Sequence, residues 1–487
     1  MKKVTKIIYS ALFFGMCATP LVMLPFSKNS GELEKKELAK MPSVIKDGSV
    51  NKDFSEEFEG WFNDNLPMRS QLLTGANFVK SNIFKSTSGN VIVGKDGWLF
   101  YESTVPDFMN TNAMSEHDLK SIVVTLSLLQ ENVESKGGKF LFAPTPNKNS
   151  IYDEYMPVFY TKSKENNLSR LYKYLEQSDV NFVNLKQFLI EKKDMMIYHT
   201  DDTHWTNLGA LLSYNEMMNH LDREHKTYDG VSYKVTDDWR GDLDKLLYPA
   251  YNASCCQYEF DIDYDEFSFV MPAGVTDTQA QLDNFMSDKE DGDNRFKTSK
   301  KDKDTGRNLY MVRDSFGRAL LPFMIDNYDT AMFVRTTCPE MNMVQENTDM
   351  IYEIVERNLC NLIKTAPFMM SPQRADIEAS KVVESDKNYM LASDEGYAYR
   401  IYGTIDESMV SEDVRVYVKL ESEDSKYIFE AFPVYEEELL KNEDTKSKAG
   451  YSMMLNSSEI KEGTYDVSVI SGNNSSGIIN EITIGGK

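Results

Sequence analysis

Apolar positions recur with different periods in successive parts of the chain, and the central part alternates between two of them. From about residue 117 to about residue 365, short β-branched and aromatic runs are separated by amphipathic stretches of helical length. This alternation predicts an α/β domain, a parallel sheet with helices on both faces. The predicted strands are 139–143, 181–185, 309–312 and 331–335, and the predicted helices are 164–176, 206–222, 316–328 and 349–364.

The pattern changes from Tyr389 onward, where six or seven short runs alternate apolar and polar residues between turns. This spacing predicts an antiparallel β-sandwich over residues 385–487. We expect the α/β domain to span residues 91–370. Residues 227–308 interrupt it with many charged residues, so we interpret them as an insertion with an exposed loop, which is either a lid or a solvated connector.

The first 26 residues predict a membrane segment. Lys2, Lys3 and Lys6 precede an uncharged stretch, 7–26, whose length matches the ~20 residues of a membrane-spanning helix. Positive charge before the stretch and glutamates after it place the N-terminus in the cytoplasm and the body outside. We therefore expect a retained single-pass anchor, with a cleaved signal peptide as the alternative. Residues 27–90 would form a stalk and entry helices.

Charge limits the classes of partner. The chain has 487 residues and a formal net charge of -24. This argues against binding to nucleic acid or to anionic lipid surfaces, because both are polyanions. A neutral glycan suits the charge better, although solubility alone also explains it.

Cysteine spacing leaves two possibilities open outside the first helix. Cys255, Cys256, Cys338 and Cys360 allow either two disulfides or four free thiols. They form no C-x-x-C pair, which argues against a structural zinc site of the usual spacing. We predict no metal and no cofactor.

Ser315 is the first candidate catalytic residue. It follows the apolar run 309–312 and precedes a predicted helix. The carboxyl edge of an open α/β sheet is where ligands bind, and a helix N-terminus supplies N–H groups for a developing oxyanion. A serine at this place is either a nucleophile or an ordinary helix N-cap.

Asp202 and His204 are the partners that a nucleophilic serine requires. Histidine acts as the base, and a carboxylate holds the imidazole in the correct tautomer. The two residues stand just before a helix predicted to begin near Thr206, so both can project from one loop. Two other interpretations stay open: a metal cluster that adds His199 and Asp201, and a structural loop with incidental polar residues.

Several motifs in the same order resemble the SGNH-hydrolase-like domain of alginate O-acetylation proteins and the related DHHW family. The resemblance covers roughly residues 34–365. The motifs are Glu34-x-x-x-Leu38-Ala39-x-x-Pro42, Trp61-Phe-Asn-Asp64-x-Leu-Pro67-x-Arg69, Val93-Gly94-Lys-Asp-Gly97-Trp98-Leu-Phe100, Ala143-Pro144-Thr-Pro-Asn147-Lys148 with Ile151-Tyr152, Asp202-Thr-His204-Trp205-Thr and Asp314-Ser315-Phe316.

The resemblance implies a flavodoxin-like sheet in which the Asp-x-His motif precedes the serine. It also implies an extracytoplasmic O-acyltransferase that receives acetyl groups through a membrane-bound O-acyltransferase partner and passes them from a serine ester to polysaccharide hydroxyls. The implied triad is Ser315, His204 and Asp202. Arg313 and Thr203 depart from the family pattern. Residues considered for contact with substrate or oxyanion are Arg313, Asn147, Lys148, Tyr152 and Trp205; a surface salt bridge is the alternative for Arg313.

Two further functions compete with the transferase. A carbohydrate acetyl esterase would use the same triad, with water in place of the sugar hydroxyl. A non-catalytic surface protein would bind glycan through residues 389–487, and the fold alone does not separate these roles.

Overall fold

Strands and helices alternate through much of the chain. The computed structural model describes residues 2–23, 39–46, 48–83, 90–251, 254–264, 267–270, 295–396, 398–436 and 447–485. The strands are β1 (Ile45–Lys46), β2 (Ser49–Val50), β3 (Val91–Val93), β4 (Leu99–Tyr101), β5 (Phe140–Thr145), β6 (Tyr233–Trp239), β7 (Cys255–Phe260), β8 (Phe267–Val270), β9 (Arg295–Lys300), β10 (Asn308–Arg313), β11 (Thr330–Arg335), β12 (Thr348–Val355), β13 (Lys381–Val382), β14 (Tyr389–Asp394), β15 (Ala398–Ile405), β16 (Val416–Glu421), β17 (Lys426–Ala431), β18 (Ala449–Asn456), β19 (Gly463–Ser471) and β20 (Asn474–Ile484).

Helices and shorter helical turns connect these strands. The α-helices are α1 (Lys2–Met23), α2 (Phe54–Asn65), α3 (Arg69–Phe78), α4 (Val105–Met109), α5 (Glu116–Glu134), α6 (Lys148–Ile151), α7 (Asn167–Leu175), α8 (Leu185–Ile190), α9 (Asn207–His220), α10 (Asp242–Leu247) and α11 (Leu321–Met324). A π-helical turn covers Val79–Ile83. The 3-10 turns are Lys95–Gly97, Glu102–Thr104, Asp153–Tyr155, Lys193–Met195, Phe316–Leu320, Ile325–Asn327, Met341–Met343, Glu356–Ile363, Glu407–Met409 and Ser457–Glu459.

A six-stranded, mostly parallel sheet forms the centre of the mixed α/β region. Its strand order is β5-β12-β10-β11-β9-β8. The first four strands are parallel to their neighbours, whereas β9 and β8 are antiparallel additions. Because β5, β10 and β12 run in one direction, the residues that follow them meet at one edge of the sheet. Ser315 lies at this edge.

Helices cover both faces of this sheet, as the sequence predicts. Successive side chains of a strand point to opposite faces. Leu309 and Met311 of β10 share a core with α8 and α9. Tyr310 and Val312 share another core with α5 and α7. The predicted α/β fold, with a mostly parallel sheet, is therefore confirmed.

Two predicted elements of this region are wrong. The helix predicted over 349–364 is the central strand β12 followed by the 3-10 turn Glu356–Ile363. Every residue of β12 is buried, so its apolar run lacks the alternation that marks a half-exposed strand. The strand predicted over 181–185 is reduced to one bridge between Phe142 and Phe182, and α8 begins at Leu185.

The C-terminal strands form two additional sheets around a common apolar core. One sheet has the order β13-β20-β19-β16-β17 and the other β14-β15-β18. Alternate residues of both sheets meet in one cluster that includes Ile401, Val418 and Val467. This is the arrangement of a β-sandwich.

The segment predicted to lie in the membrane contains the helix α1. In the described part of the chain, no helix is both long and apolar enough to cross a membrane.

The insertion, 227–308, contributes β6, α10, β7, β8 and β9. It is therefore more than a solvated connector, because two of its strands extend the central sheet and others pack beside Asp202. The charged run 287–294 lies outside the described residues, as do residues 34–38 of the first family motif.

Candidate active site

Ser315 lies where β10 ends and the 3-10 turn Phe316–Leu320 begins. Its side chain makes no capping hydrogen bond to this turn, so the N-cap interpretation is wrong. Instead, the Ser315 hydroxyl oxygen lies 2.8 Å from Nε2 of His204. This is hydrogen-bond distance for a hydroxyl that donates to an imidazole nitrogen.

Asp202 holds the other side of the imidazole. Its Oδ1 lies 2.7 Å from His204 Nδ1 and also accepts the backbone N–H of His204 at 2.9 Å. A carboxylate only accepts, so Nδ1 carries the proton and Nε2 is free to accept from Ser315. The three side chains thus form one hydrogen-bonded chain with the polarity of a serine triad.

The second carboxylate oxygen of Asp202 is held by the insertion. Oδ2 accepts the backbone N–H of Asp242 at 2.9 Å and the indole N–H of Trp239 at 3.3 Å. Asp202 is therefore buried with partners for both oxygens. Gly241 allows the close approach, because a Cβ there would lie 2.0 Å from the carbonyl oxygen of Asp201.

A second carboxylate, Asp242, lies beside the same histidine. Its Oδ2 is 3.7 Å from His204 Nδ1. It also accepts from the backbone N–H and the hydroxyl of Thr203, at 2.7 and 2.8 Å. Thr203, which departs from the family pattern, therefore ties the insertion to the loop that carries the triad.

The buried charges shift the pKa values of these groups in different directions. Burial acts to lower the pKa of His204, but Asp202 and Asp242 together outweigh it and raise the pKa above its ordinary value. Burial acts to raise the pKa of Asp202, but the imidazolium and its hydrogen bond hold that pKa well below the ordinary value. The pKa of Asp242 is raised by burial and by the charge of Asp202. Asp202 thus remains ionised while His204 exchanges its proton.

Lys148 organises the loop that contains Asp202. Its ammonium donates to the backbone carbonyls of His199, Thr200 and Asp202, at 3.1, 3.2 and 2.6 Å. The side chain is 4% exposed, and burial lowers its pKa to about 8 against the pull of Asp202. The structure therefore places Lys148 behind the triad, where it holds the loop.

Two carboxyl groups, the half-buried Asp314 and the buried Glu353, organise the turn that contains Ser315. Asp314 accepts the backbone N–H of Phe316 at 2.9 Å and that of Val355 at 2.7 Å. Glu353 accepts the N–H of Asp314 at 3.1 Å and the hydroxyl of Thr145 at 2.7 Å. Burial and the charge of Asp314 raise the pKa of Glu353 well above its ordinary value. The turn is thereby fixed to β5 and β12.

Arg313 and Trp205 support the turn from the protein side. Arg313 is buried, so a surface salt bridge is excluded, and its guanidinium donates to the carbonyl of Asp314 at 3.0 Å. Its side chain passes over Gly317, where an added Cβ would lie 2.5 Å from the Arg313 Cβ. The Trp205 indole donates to the carbonyl of Phe316 at 3.1 Å.

The remaining predicted contact residues have structural partners. Asn147 donates its amide to Asp107 at 3.2 Å and its backbone N–H to Glu356 at 2.9 Å. The Tyr152 hydroxyl donates to the carbonyl of Lys193 at 2.6 Å. The structure thus brings Ser315, His204 and Asp202 together, and it gives Asn147 and Tyr152 partners away from the triad atoms.

Arg357 is a site residue that the sequence reasoning missed. It follows β12 at the carboxyl edge, and its guanidinium lies 5.7 Å from the ring centres of both Phe316 and Tyr101. Its Nη1 is buried without a hydrogen-bond partner among the described residues. Its charge acts to lower the pKa of His204. Arg357 therefore places a buried donor beside the ring of the residue that follows Ser315.

The predicted alternative of a metal cluster is only partly reproduced. Asp202, His204 and Asp242 offer ligand atoms within 4.8 Å of one another. His199 instead stacks on Trp239, with ring centres 5.3 Å apart, and burial lowers its pKa to about 4.

The structure contains free thiols at all four cysteines considered for disulfides, which are Cys255, Cys256, Cys338 and Cys360.

A comparison with family models matches residues 91–267 to the SGNH hydrolase-like domain of the acetyltransferase AlgX. The resemblance inferred from the sequence motifs is thereby confirmed. The matched range includes Asp202, His204 and Asp242, whereas Ser315 lies beyond it. A comparison with curated proteins finds no match.

Several solved structures resemble the chain at low sequence identity. A DHHW family protein from Eubacterium siraeum is 16% identical, with a TM-score of 0.43, over 56% of this chain and 93% of its own. Bacillus cereus PatB1 with a sulfonyl adduct is 16% identical, with a TM-score of 0.43, over 56% and 97%. The O-acetyltransferase domain of Pseudomonas putida AlgJ is 13% identical, with a TM-score of 0.35, over 56% and 92%.

Proposed function

We propose that this chain, whose residues 91–267 match the SGNH hydrolase-like domain of the acetyltransferase AlgX, is a serine O-acyltransferase that moves acetyl groups to polysaccharide hydroxyls. One observation carries the proposal: the hydrogen-bonded chain from Ser315 through His204 to Asp202. A structural loop with incidental polar residues has no reason to align a hydroxyl, an imidazole and a buried carboxylate in this order.

In the proposed reaction, Ser315 first takes the acyl group. Nε2 of His204 accepts the hydroxyl proton while Oγ forms a bond to the acyl carbon of the donor ester. The bond between that carbon and the donor oxygen then breaks, and His204 returns its proton to the leaving oxygen. Asp202 keeps Nδ1–H oriented and stabilises the imidazolium, without taking the proton itself.

The second half of the reaction transfers the acyl group to the acceptor. A sugar hydroxyl gives its proton to His204 and attacks the acyl carbon, and the bond to Ser315 Oγ breaks as Oγ regains a proton. Both halves develop negative charge on the carbonyl oxygen. We propose that Arg357 stabilises this charge, since its buried Nη1 lacks a partner among the described residues and its guanidinium packs beside Phe316.

The same triad also supports a second candidate function, an acetyl esterase. The hydrogen-bonded chain favours acyl-serine chemistry, but it leaves the attacking group open, because water and a sugar hydroxyl use the same base.

We propose that the body of the protein lies outside the cytoplasm, because lysines precede and glutamates follow the uncharged stretch near the N-terminus. We further propose that a membrane-bound O-acyltransferase supplies the acyl group.

Hydrolysis of a chromogenic acetyl ester tests the shared chemistry. The purified protein is expected to release the chromophore, and Ser315→Ala is expected to abolish release while circular dichroism stays unchanged. Adding an oligosaccharide acceptor then separates the candidates, since a transferase yields acetylated oligosaccharide by mass spectrometry and an esterase yields acetate. Undiminished ester turnover by Ser315→Ala would refute the nucleophile.

A further inference from the structure

His199 is a second buried histidine in the loop that carries the triad, and no step of the proposed reaction uses it. The residue is 2% exposed, and burial lowers its pKa to about 4. The imidazole is therefore neutral at neutral pH, so one of its ring nitrogens donates a hydrogen bond and the other accepts one. A buried ring of this kind requires partners for both nitrogens.

Two residues of β7 fix the tautomer and the orientation of this ring. The Oε1 atom of Gln257 accepts the backbone N–H groups of Asn207 and Tyr258, both at 2.9 Å. The NH₂ group of Gln257 is thereby directed to Nε2 of His199, 3.3 Å away. Because an NH₂ group only donates, Nε2 accepts and Nδ1 carries the proton. Nδ1–H then donates to the backbone carbonyl of Cys256 at 3.1 Å.

The face of the anchored ring supports Trp239. The two rings are stacked, with centres 5.3 Å apart and planes 11° from parallel. The pairing of β6 with β7 does not replace this support, since its register shifts between Thr236 and Trp239. Trp239 also remains 38% exposed, so the protein covers only part of its surface. The orientation of the indole therefore depends on the stack with His199.

The edge of the same indole contacts the triad. Its N–H donates to Oδ2 of Asp202 at 3.3 Å, beside the shorter hydrogen bond of 2.9 Å from the backbone N–H of Asp242. A hydrogen bond this long is weakened further when its donor rotates. A tilt of the indole would leave Oδ2 with one donor, and Asp202 would lose part of the support that keeps Oδ1 directed to His204.

We propose that His199 is a positioning residue of the triad, which holds the Trp239 indole against Asp202. The inference rests on the proposed function, because it assigns the residue a part in activating Ser315. The side chain of His199 makes no hydrogen bond to Ser315 or His204 among the described residues, so it acts through the indole. Its substitution should lower kcat rather than raise KM, since Asp202 supports the base and does not bind substrate.

Indole NMR spectroscopy of the full-length chain tests the contact. The chain contains four tryptophans, so a sample with ¹⁵N-labelled tryptophan gives an indole N–H signal for each, and Trp239→Phe identifies the relevant one. His199→Asn keeps a donor and an acceptor but removes the stacked ring. We expect the Trp239 proton signal to move upfield as its hydrogen bond to Asp202 is lost. The matched control is His220→Asn, at an exposed histidine of α9, which should leave the signal in place. A signal that stays in place in His199→Asn would overturn the inference.

A double-mutant cycle with a chromogenic acetyl ester tests whether the effect passes through Trp239. Trp239→Phe keeps a ring but removes the donor, and we expect kcat to fall about tenfold, the effect of one hydrogen bond to a charged group. His199→Asn should lower kcat by a similar factor in the unmodified chain, but by less than about twofold in the Trp239→Phe background.

Equal losses in both backgrounds would show that His199 acts independently of Trp239, against the inference. The proposed function fails separately. An unmodified chain without ester turnover would refute that function, whereas the indole signal reports on the contact in either case.

Discussion

Two segments supply the triad, and different polar side chains organise them, a buried ammonium group in one and carboxyl groups in the other. The histidine loop, residues 199–204, directs three backbone carbonyls to the ammonium of Lys148. The serine turn, residues 313–317, directs backbone N–H groups to the carboxylates of Asp314 and Glu353. Neither segment belongs to a regular helix or strand for most of its length. Each therefore depends on these side chains for the hydrogen-bond partners that secondary structure supplies to backbone groups elsewhere.

The difference between the two segments has a consequence for the chemistry. The cation lies behind the loop that carries Asp202, where it leaves the carboxylate free to bind His204. Asp314 and Glu353 bind backbone groups of the serine turn, and Arg357 is a cation beside Phe316 in the same turn. Lys148 thus holds the histidine loop through its backbone carbonyls, and Asp314 and Glu353 hold the serine turn through its backbone N–H groups.

The largest effect is expected from Asp202→Asn, which tests the histidine loop at its reacting group. An amide nitrogen facing Nδ1 favours the wrong tautomer, so kcat for a chromogenic ester should fall roughly 10⁴-fold. Asp201→Asn is the matched control, because the Asp201 side chain makes no hydrogen bond or ion pair with His204 among the described residues. Steady-state kinetics of this variant should show little change. Similar losses in both variants would contradict the assignment of Asp202.

Lys148→Met tests whether a buried cation organises the histidine loop. The substitution leaves three carbonyls without a donor, at a cost of about 1–3 kcal/mol for each unsatisfied group. We expect the free energy of unfolding to fall by about 3 kcal/mol or more in urea denaturation. Lys95→Met removes an exposed lysine and should stay within about 0.5 kcal/mol. A stable Lys148→Met protein with full ester turnover would show that the histidine loop is ordered without this cation.

Asp314→Asn tests the serine turn in the same way, with a smaller expected effect. One oxygen of Asp314 remains, but the new NH₂ group faces the backbone N–H of Val355 or of Phe316. The loss of one acceptor should cost about 1–3 kcal/mol in the free energy of unfolding, measured beside the exposed control Asp302→Asn. No loss of stability would show that the turn is held without this carboxylate.

The smallest effect is expected from Asp242→Asn and appears in the pH profile. The charge of Asp242 helps to raise the pKa of His204, and the base must be neutral to accept a proton. Removing that charge lowers the pKa of His204, so the acid limb of kcat/KM should move to lower pH while the plateau changes less than about threefold. An acid limb that stays in place, as expected for Asp238→Asn, would show that Asp242 has no electrostatic role.

The sequence predicts the triad because each part of it is locally marked. Asp202 and His204 stand two residues apart before a helix, and Ser315 stands two residues after the end of an apolar strand. Trp239 and Arg357 carry no such mark, since they reach the site only through the folding of the insertion and of β12, and Asp242 carries only a weak one. The local signal for Asp242 is the glycine before it. Gly241 directly precedes α10, and a glycine often marks a place where two backbone segments approach closely.

The helix wrongly predicted over 349–364 has a related cause. A strand buried on both faces shows no alternation, and its apolar run resembles part of a buried helix. The same error hides Arg357. In a helix over 349–364 it would be an interior residue, whereas in the structure it follows the end of β12, at the carboxyl edge beside Ser315. Contacts between distant segments, rather than local propensity, decide this part of the site.

Fluorophosphonate labelling of the purified protein, followed by peptide mass spectrometry, tests the triad most directly. The probe modifies a serine only when its hydroxyl is activated by a base. We predict one adduct on Ser315, lost in Ser315→Ala and strongly reduced in His204→Ala. An unlabelled Ser315 in a folded protein, or labelling that persists in His204→Ala at the original rate, would contradict a nucleophile activated by His204.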